Sequence, residues 1–330
     1  MGIQNSESRS LDQPSIRPGL DIYYDPMFRL HDTGPEHPET PSRMDAALAG
    51  VDRAGANALI RTPESEHPET ARVIVRVHSA NYERDLDEAC RSGRRLFHSL
   101  DNPISSKTHA AARAVVSAAL HAASDVWGER GARRAFVIAR PPGHHALKGE
   151  AMGFCFFNTI ACVAEQLLER EGIDRVFIFD WDVHHGNGTQ QIFEARSDVF
   201  YASMHRYPFY PGTGAAEERG TGEGRGFTRN IPLEGSSGDA KYLEALERVV
   251  LPAIDEFRPH AILLSAGFDA HVRDPLGGMR VSERAFGTMT ERIVEAAERH
   301  SEGKLLSLLE GGYDPEGLAA SVAAHVNGLE

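Results

Sequence analysis

The chain has 330 residues, 41% hydrophobic and 25% charged, the balance of an ordinary globular protein, which excludes disorder or a collagen-like structure for its bulk. Its 48 Asp and Glu against 35 Lys and Arg give a formal net charge of −13, so no electrostatic footprint for gripping a phosphate backbone is present and nucleic acid is not expected as a direct partner. A cationic substrate, such as a lysine-rich tail or a polyamine, would be attracted instead.

The length allows one or two domains. Residues 1–18 are polar, carry Pro14 and Pro18, and read as a flexible arm. The start Met1-Gly2-Ile3-Gln4-Asn5-Ser6 matches the myristoylation pattern, which is short and common and carries little weight. Alternating elements follow. Apolar runs at Asp21–Tyr24, Phe136–Ala139, Val176–Phe179, Val199–Ala202, Ala261–Ser265 and Leu305–Leu309 read as buried strands. Helical patterns lie between and after them at Thr108–Trp127, Asn158–Arg170, Lys241–Phe257, Ser282–Arg299 and Pro315–Val326. Gly212–Gly226 is the most loop-like interior stretch, and no internal repeat is visible. Strands alternating with helices predict an α/β fold, an open, mainly parallel sheet with helices on both faces.

Three cysteines, Cys90, Cys155 and Cys162, do not make a disulfide framework and suit a reducing compartment. No apolar run approaches the roughly 18 residues of a membrane span. The N-terminus shows no signal-peptide pattern. A soluble cytoplasmic protein with no membrane partner is the expectation, and the oligomeric state is not legible.

In an open parallel sheet, ligands bind beyond the carboxyl ends of the strands. Four of the predicted strands run straight into glycine and ionisable residues: Arg140-Pro-Pro-Gly-His-His145, Asp180-Trp-Asp-Val-His-His-Gly-Asn-Gly188, Ala266-Gly-Phe-Asp-Ala-His271 and Glu310-Gly-Gly-Tyr313. Asp180, Asp182 and His184 stand at i, i+2 and i+4, so continued strand geometry points all three to one side. A carboxylate and an imidazole there make two metal ligands, and Asp269, close behind Gly267, is the best third. A lone Asp-x-His is most often a hydrogen-bonded turn, and a lone Asp after Gly-Phe most often a cap. Their coincidence at several strand ends favours a metal.

His144 and His145 beside a Lewis acid suit a general base and an electrostatic or acid partner, whereas an isolated His-His would be a solvated loop. Asp180 is free to orient one of the two, and Asn187 the other. Tyr313 could donate a hydrogen bond to a polarised carbonyl, or simply pack at a helix start. Together these parts point to metal-assisted hydrolysis. No phosphate-binding loop and no Gly-x-Ser-x-Gly elbow is present.

The blocks Arg140–Ala146, Gly153–Asn158, Asp180–Gln190, Ser265–Ala270 and Glu310–Tyr313 resemble, in order, the zinc-dependent histone deacetylase family and its acetylpolyamine amidohydrolase relatives. His37-Pro38-Glu39 with Arg43 looks like the family's first loop. Asp180-Trp181 and Asn187 look more like the class II branch, with its bacterial-type histone deacetylase-like amidohydrolases, than class I. The resemblance implies one arginase-deacetylase domain over 19–330, with Zn²⁺ on Asp182, His184 and Asp269. It implies His145 as general base, His144 as its electrostatic or acid partner paired with Asp180, and Tyr313 as the carbonyl-polarising residue. Asn187 stands where some relatives carry Asp, which would tune His145 differently. Gly153, Phe154 and Tyr210 look like the acyl-lysine tunnel, and Asp101 like the rim carboxylate that holds substrate. On its residues alone, Asp101 before Pro103 reads equally as a helix N-cap. A structural K⁺, held in part by Asp180 and Ser203, is also implied.

Polyamine-preferring relatives carry a gatekeeper Glu in the loop that here reads Asp274-Pro-Leu-Gly277, and Leu276 takes its place. A leucine cannot pair with an internal ammonium, which favours an acyl-lysine peptide or another small N-acyl amide over a polyamine. A polyamine deacetylase and a non-catalytic acyl-lysine-binding module are the competing readings. A two-manganese ureohydrolase would need further carboxylates, and Asn187 is the wrong type for a bridging ligand.

Overall fold

The computed structural model describes residues 19–56, 58–128 and 132–330; the arm over 1–18, with its myristoylation-like start, lies outside the described residues. In chain order the elements are β1 (Leu20–Tyr23), α1 (Ser42–Ala54), β2 (Leu59–Arg61), α2 (Thr70–Val77), α3 (Ala80–Arg91), β3 (Leu96–Phe97), β4 (Ser99–Pro103) and α4 (Thr108–Val126). Then come β5 (Arg134–Val137), α5 (Thr159–Leu168), β6 (Val176–Asp180), α6 (Asn187–Phe193), β7 (Val199–Arg206) and β8 (Thr228–Leu233). The last are α7 (Asp239–Ala245), α8 (Leu251–Phe257), β9 (Ala261–Ala266), α9 (Glu283–His300), β10 (Leu305–Leu309) and α10 (Pro315–Leu329).

Eight strands form one sheet in the order β2-β1-β5-β10-β9-β6-β7-β8. Every neighbouring pair in it is parallel. The central strands are short and mostly Val, Ile, Leu, Phe and Ala, with one polar residue each (Asp180, Ser265, Ser307), and every residue is buried, as in strands covered on both faces. Two helix groups supply the covers. α1, α10, α9, α8 and α7 pack in one series, α2, α3, α4 and α5 in another, and both α5 and α9 reach β9. No helix among the described residues is long and apolar enough to cross a membrane, and all three cysteines are buried and unpaired.

Where the structure departs from the periodicity, local chemistry explains it. Lys241–Phe257 reads as one helix, but a π-turn over Leu246–Val250 separates α7 from α8. Pro252 has no N–H and its ring crowds the carbonyl four residues back, and widening the preceding turn relieves that clash. α10 begins sharply because the Asp314 side chain accepts from the Gly317 N–H and Pro315 opens the first turn. That cap fixes the far end of the Glu310–Tyr313 loop.

Candidate active site

The four polar strand ends follow β5, β10, β9 and β6, which are consecutive in the sheet. Segments far apart in the chain therefore meet along one edge. Glu310 ties three of them together: its carboxylate accepts from the N–H of Gly143 at 2.7 Å and of His144 at 3.2 Å, and from the Ser265 hydroxyl at 3.0 Å. Burial pushes its pKa up to about 7, against the pull of His144.

At the centre, Asp182 Oδ1 and Asp269 Oδ2 each lie 3.1 Å from His184 Nδ1. One ligand atom from each of the three residues falls within 4.8 Å of the others. The remaining carboxylate oxygens are fixed by backbone donors: Asp182 Oδ2 accepts from Gly311 N–H and Asp269 Oδ1 from Val183 N–H, both at 2.8 Å. A Cβ at Gly267 would strike the Asp182 carboxylate, and one at Gly311 the Asp269 carboxylate. The glycines thus let two strand ends close on an O/N/O donor set, with Asp182 and Asp269 buried and His184 nearly so. Two carboxylates converging on one imidazole nitrogen form a set that fits a divalent cation such as Zn²⁺. The phenyl ring of Phe209 lies flat on His184, centroids 5.4 Å apart and planes at 13°.

Beside this set the two adjacent histidines have unlike partners. His144 Nδ1 lies 3.0 Å from Asp180 Oδ2, which also accepts from Tyr201 Oη at 3.0 Å. Burial opposes a charge on His144, but Asp180 and Asp182 outweigh it and push its pKa up to about 10. His145 Nδ1 instead lies 2.7 Å from the neutral amide oxygen of Asn187. Burial and the nearby His144 and His184 hold His145 well below the usual histidine range. A Cβ at Gly153, whose φ is +55°, would run into the His145 ring, so this glycine sets how closely the tunnel wall approaches.

Above His145 and His184 a cavity of about 210 Å³ opens between Phe154, Tyr210, Leu276 and Tyr313. Asp101 stands at its mouth. It caps no helix; it lies on β4 of the β3–β4 hairpin, and its Oδ2 accepts from Gly153 N–H at 3.1 Å and from Tyr210 Oη at 2.8 Å. Tyr210 is 38% exposed, whereas Asp182, Asp269, His144 and His145 below it are buried. The Tyr313 hydroxyl has no hydrogen-bond partner among the described residues. Burial pushes its pKa up, against the Arg43 charge, and the phenol keeps its proton. Ser203 lies away from this cavity. It faces Asp180 in the β6–β7 register, and its hydroxyl is 2.9 Å from His205 Nδ1.

Two residues carry more of the site than their sequence context indicated. Arg43 donates to the carbonyls of Gly312 and Glu310 and stacks its guanidinium 4.9 Å from the Tyr313 ring centroid, fixing that loop. Glu39, fully buried, holds Arg43 at 3.0 Å and Arg140 at 2.8 Å. In the sequence, Glu39 and Arg43 stood out only as part of a stretch resembling the family's first loop, with nothing to name their partners.

The histone deacetylase domain family matches residues 37–329 of the chain. A histone deacetylase-like amidohydrolase of Pseudomonas aeruginosa is 41% identical over 280 residues, covering 84% of this chain and 72% of that protein. A probable deacetylase of Archaeoglobus fulgidus is 36% identical over 298 residues, covering 90% of this chain and 82% of that one. The crystal structure of the HDA15 HD domain matches with a TM-score of 0.87 at 34% identity, over 95% of this chain and 90% of that one. With the parallel sheet and its four converging strand ends, these matches establish that the chain belongs to the histone deacetylase family of deacetylases and amidohydrolases.

Proposed function

We propose that the chain is a zinc-dependent amidohydrolase that removes an acyl group from a lysine side chain or a similar small N-acyl amide. The observation that carries this is the Asp182–His184–Asp269 set on the floor of a narrow cavity whose walls are Phe154 and Tyr210. When bound, Zn²⁺ supplies Lewis acidity to a carbonyl oxygen and acidifies water.

The chain's own residues do the rest. With Nδ1–H donated to Asn187, His145 presents an unprotonated Nε2, and it accepts the proton of the attacking water. Its depressed pKa keeps it neutral and able to do so. His144, held as an imidazolium against Asp180, places a fixed positive charge beside the reacting carbon, and the proton that His145 takes from water passes to the departing amine. The free Tyr313 hydroxyl donates to the carbonyl oxygen as negative charge develops on it. Phe154 and Tyr210 grip a methylene chain by apolar contact. Asp180 and Ser203, opposite each other in the register, would bind a K⁺ outside the reaction path.

Leu276 puts an apolar group at the mouth where a carboxylate would be needed to hold an internal ammonium. Side-by-side turnover of an acetyl-lysine amide, N-acetylputrescine and N8-acetylspermidine tests the substrate class. Faster turnover of the lysine substrate is expected. Release chiefly from the polyamines would overturn the Leu276 argument while leaving the chemistry intact. Bound zinc with no turnover of any amide would favour a binding module.

A further inference from the structure

The active site occupies the edge where strands end. At the opposite edge, where β6, β7 and β8 begin, lies a second and larger cavity of about 750 Å³. Four arginines line it: Arg175 just before β6, Arg225 and Arg229 on either side of the start of β8, and Arg258 at the end of α8. None of the four has a carboxylate partner among the described residues. The Arg175 guanidinium donates only to the Arg258 carbonyl, at 2.8 and 3.0 Å, and to His260 Nε2, at 3.2 Å. The Nε of Arg229 is buried with no acceptor at all. One carboxylate, Glu256, is on the rim and bonds to none of them.

This is unlike the rest of the surface, where Arg72, Arg76, Arg113 and Arg196 each hold two carboxylates. In a chain with 48 acidic and 35 basic residues, partners for arginine are abundant, so four left unpaired around one concavity is a feature to explain. Like charges gathered in a recess repel one another, and an anion seated among them removes that cost. The planar fork of arginine matches phosphate oxygens in bidentate fashion. Beside the arginines, the half-buried ring of Phe227 rests on Phe257 and Phe200, with centroids 5.8 and 6.2 Å away, and offers an apolar wall for a flat ring. The cavity volume falls within the range of small-molecule sites. An extended polyanion is disfavoured, because the recess is local and the molecule around it carries a net charge of −13.

We propose that this cavity binds a small, soluble ligand of nucleotide size that combines phosphate groups with a planar ring. The test is calorimetric titration of the full chain with ADP, pyrophosphate and adenosine at one ionic strength. ADP is expected to bind saturably in the micromolar range, pyrophosphate about tenfold more weakly, and adenosine not measurably. Arg225 and Arg258 are exposed, so R225E and R258E should fold; each should weaken ADP by about tenfold or more. F227A should weaken ADP and leave pyrophosphate unchanged. Absence of saturable ADP binding up to millimolar concentration overturns the proposal. So does an ADP affinity unchanged in both charge reversals, which would place the ligand elsewhere, for example on a metal in the active site. Equal affinity for pyrophosphate and ADP overturns the assignment of a ring-binding wall.

Discussion

The floor and the mouth of the active-site cavity are built differently. On the floor, each carboxylate oxygen of Asp182 and Asp269 has an assigned donor or faces His184, each catalytic-type histidine has one partner, and glycines hold the backbones at contact distance. At the mouth, Asp101 comes from a small hairpin, Tyr210 is partly in water, and Leu276 stands on a loop. On the proposed function, chemistry that must be held to a fraction of an ångström would sit on the ends of rigid strands, and the parts that choose the substrate on pieces that can vary without disturbing the sheet.

The difference can be broken or sharpened by substitution. The largest effect is expected for D182A, which removes an acidic donor from the floor: zinc content by elemental analysis should fall far below one per chain and activity should drop to background. Stoichiometric zinc in D182A would refute that ligand assignment. H145A should lower kcat by about 10²–10⁴-fold and Y313F by about 10²–10³-fold, both with zinc retained. Near-wild-type kcat in either would remove the residue from its proposed role.

At the mouth the losses should be smaller and should appear mainly in KM. D101A frees both Gly153 N–H and the Tyr210 hydroxyl, and should raise KM for a peptide substrate by about tenfold with kcat less affected. A kcat loss as large as that of Y313F would mean that mouth and floor are one unit. L276E should improve N8-acetylspermidine turnover relative to acetyl-lysine by about fivefold.

The smallest effect concerns stability away from the site. His325 is buried between Thr290 and Ser307, and burial holds its pKa down at about 3. His78 is similarly held at about 4 by burial. An unfolded chain takes up these protons near pH 6.5, whereas the folded chain does not. Their contribution is therefore complete above that pH and is lost as pH falls from about 6.5 towards 3–4, at up to about 1.4 kcal/mol per pH unit for each histidine. H325Q should show a flatter decline of Tm between pH 6.5 and 4.5 than the parent chain. Parallel declines would assign the acid sensitivity to other groups.

Much of the floor was legible in the sequence because each central strand is a nearly unbroken apolar run that gives way to glycine and ionisable residues. The order of those strands was not legible. β10 pairs with β5 and β9 although it is the last strand in the chain, and only that order brings Tyr313 beside Asp269. The edge strands escaped notice for physical reasons. β2 has three residues with Leu59 and Ile60 exposed, and β8 carries Arg229, Asn230 and Pro232, so neither shows a buried apolar run. The β3–β4 hairpin is two residues against five, rich in Asp, Asn and Pro, which is why Asp101 could be read as a cap. α6 starts at Asn187, inside the polar Asp180–Gly188 strand end, and its seven residues are mostly polar or glycine, which hides a helical pattern. α1, α2 and α3 are not among the helical patterns read from the sequence: the buried stripes are short, Val73, Ile74 and Val77 in α2 and Tyr82, Leu86, Ala89 and Cys90 in α3, and in α1 the stripe is mainly small residues with Arg43 in it.

The most direct test of the proposed function is hydrolysis of a fluorogenic acetyl-lysine amide by chain stripped of metal and then restored with one equivalent of Zn²⁺. Background release from the stripped chain, recovered on adding zinc and absent from a zinc-loaded H145A control, is the predicted result. Equal turnover with and without metal, or none after stoichiometric zinc has bound, would contradict it.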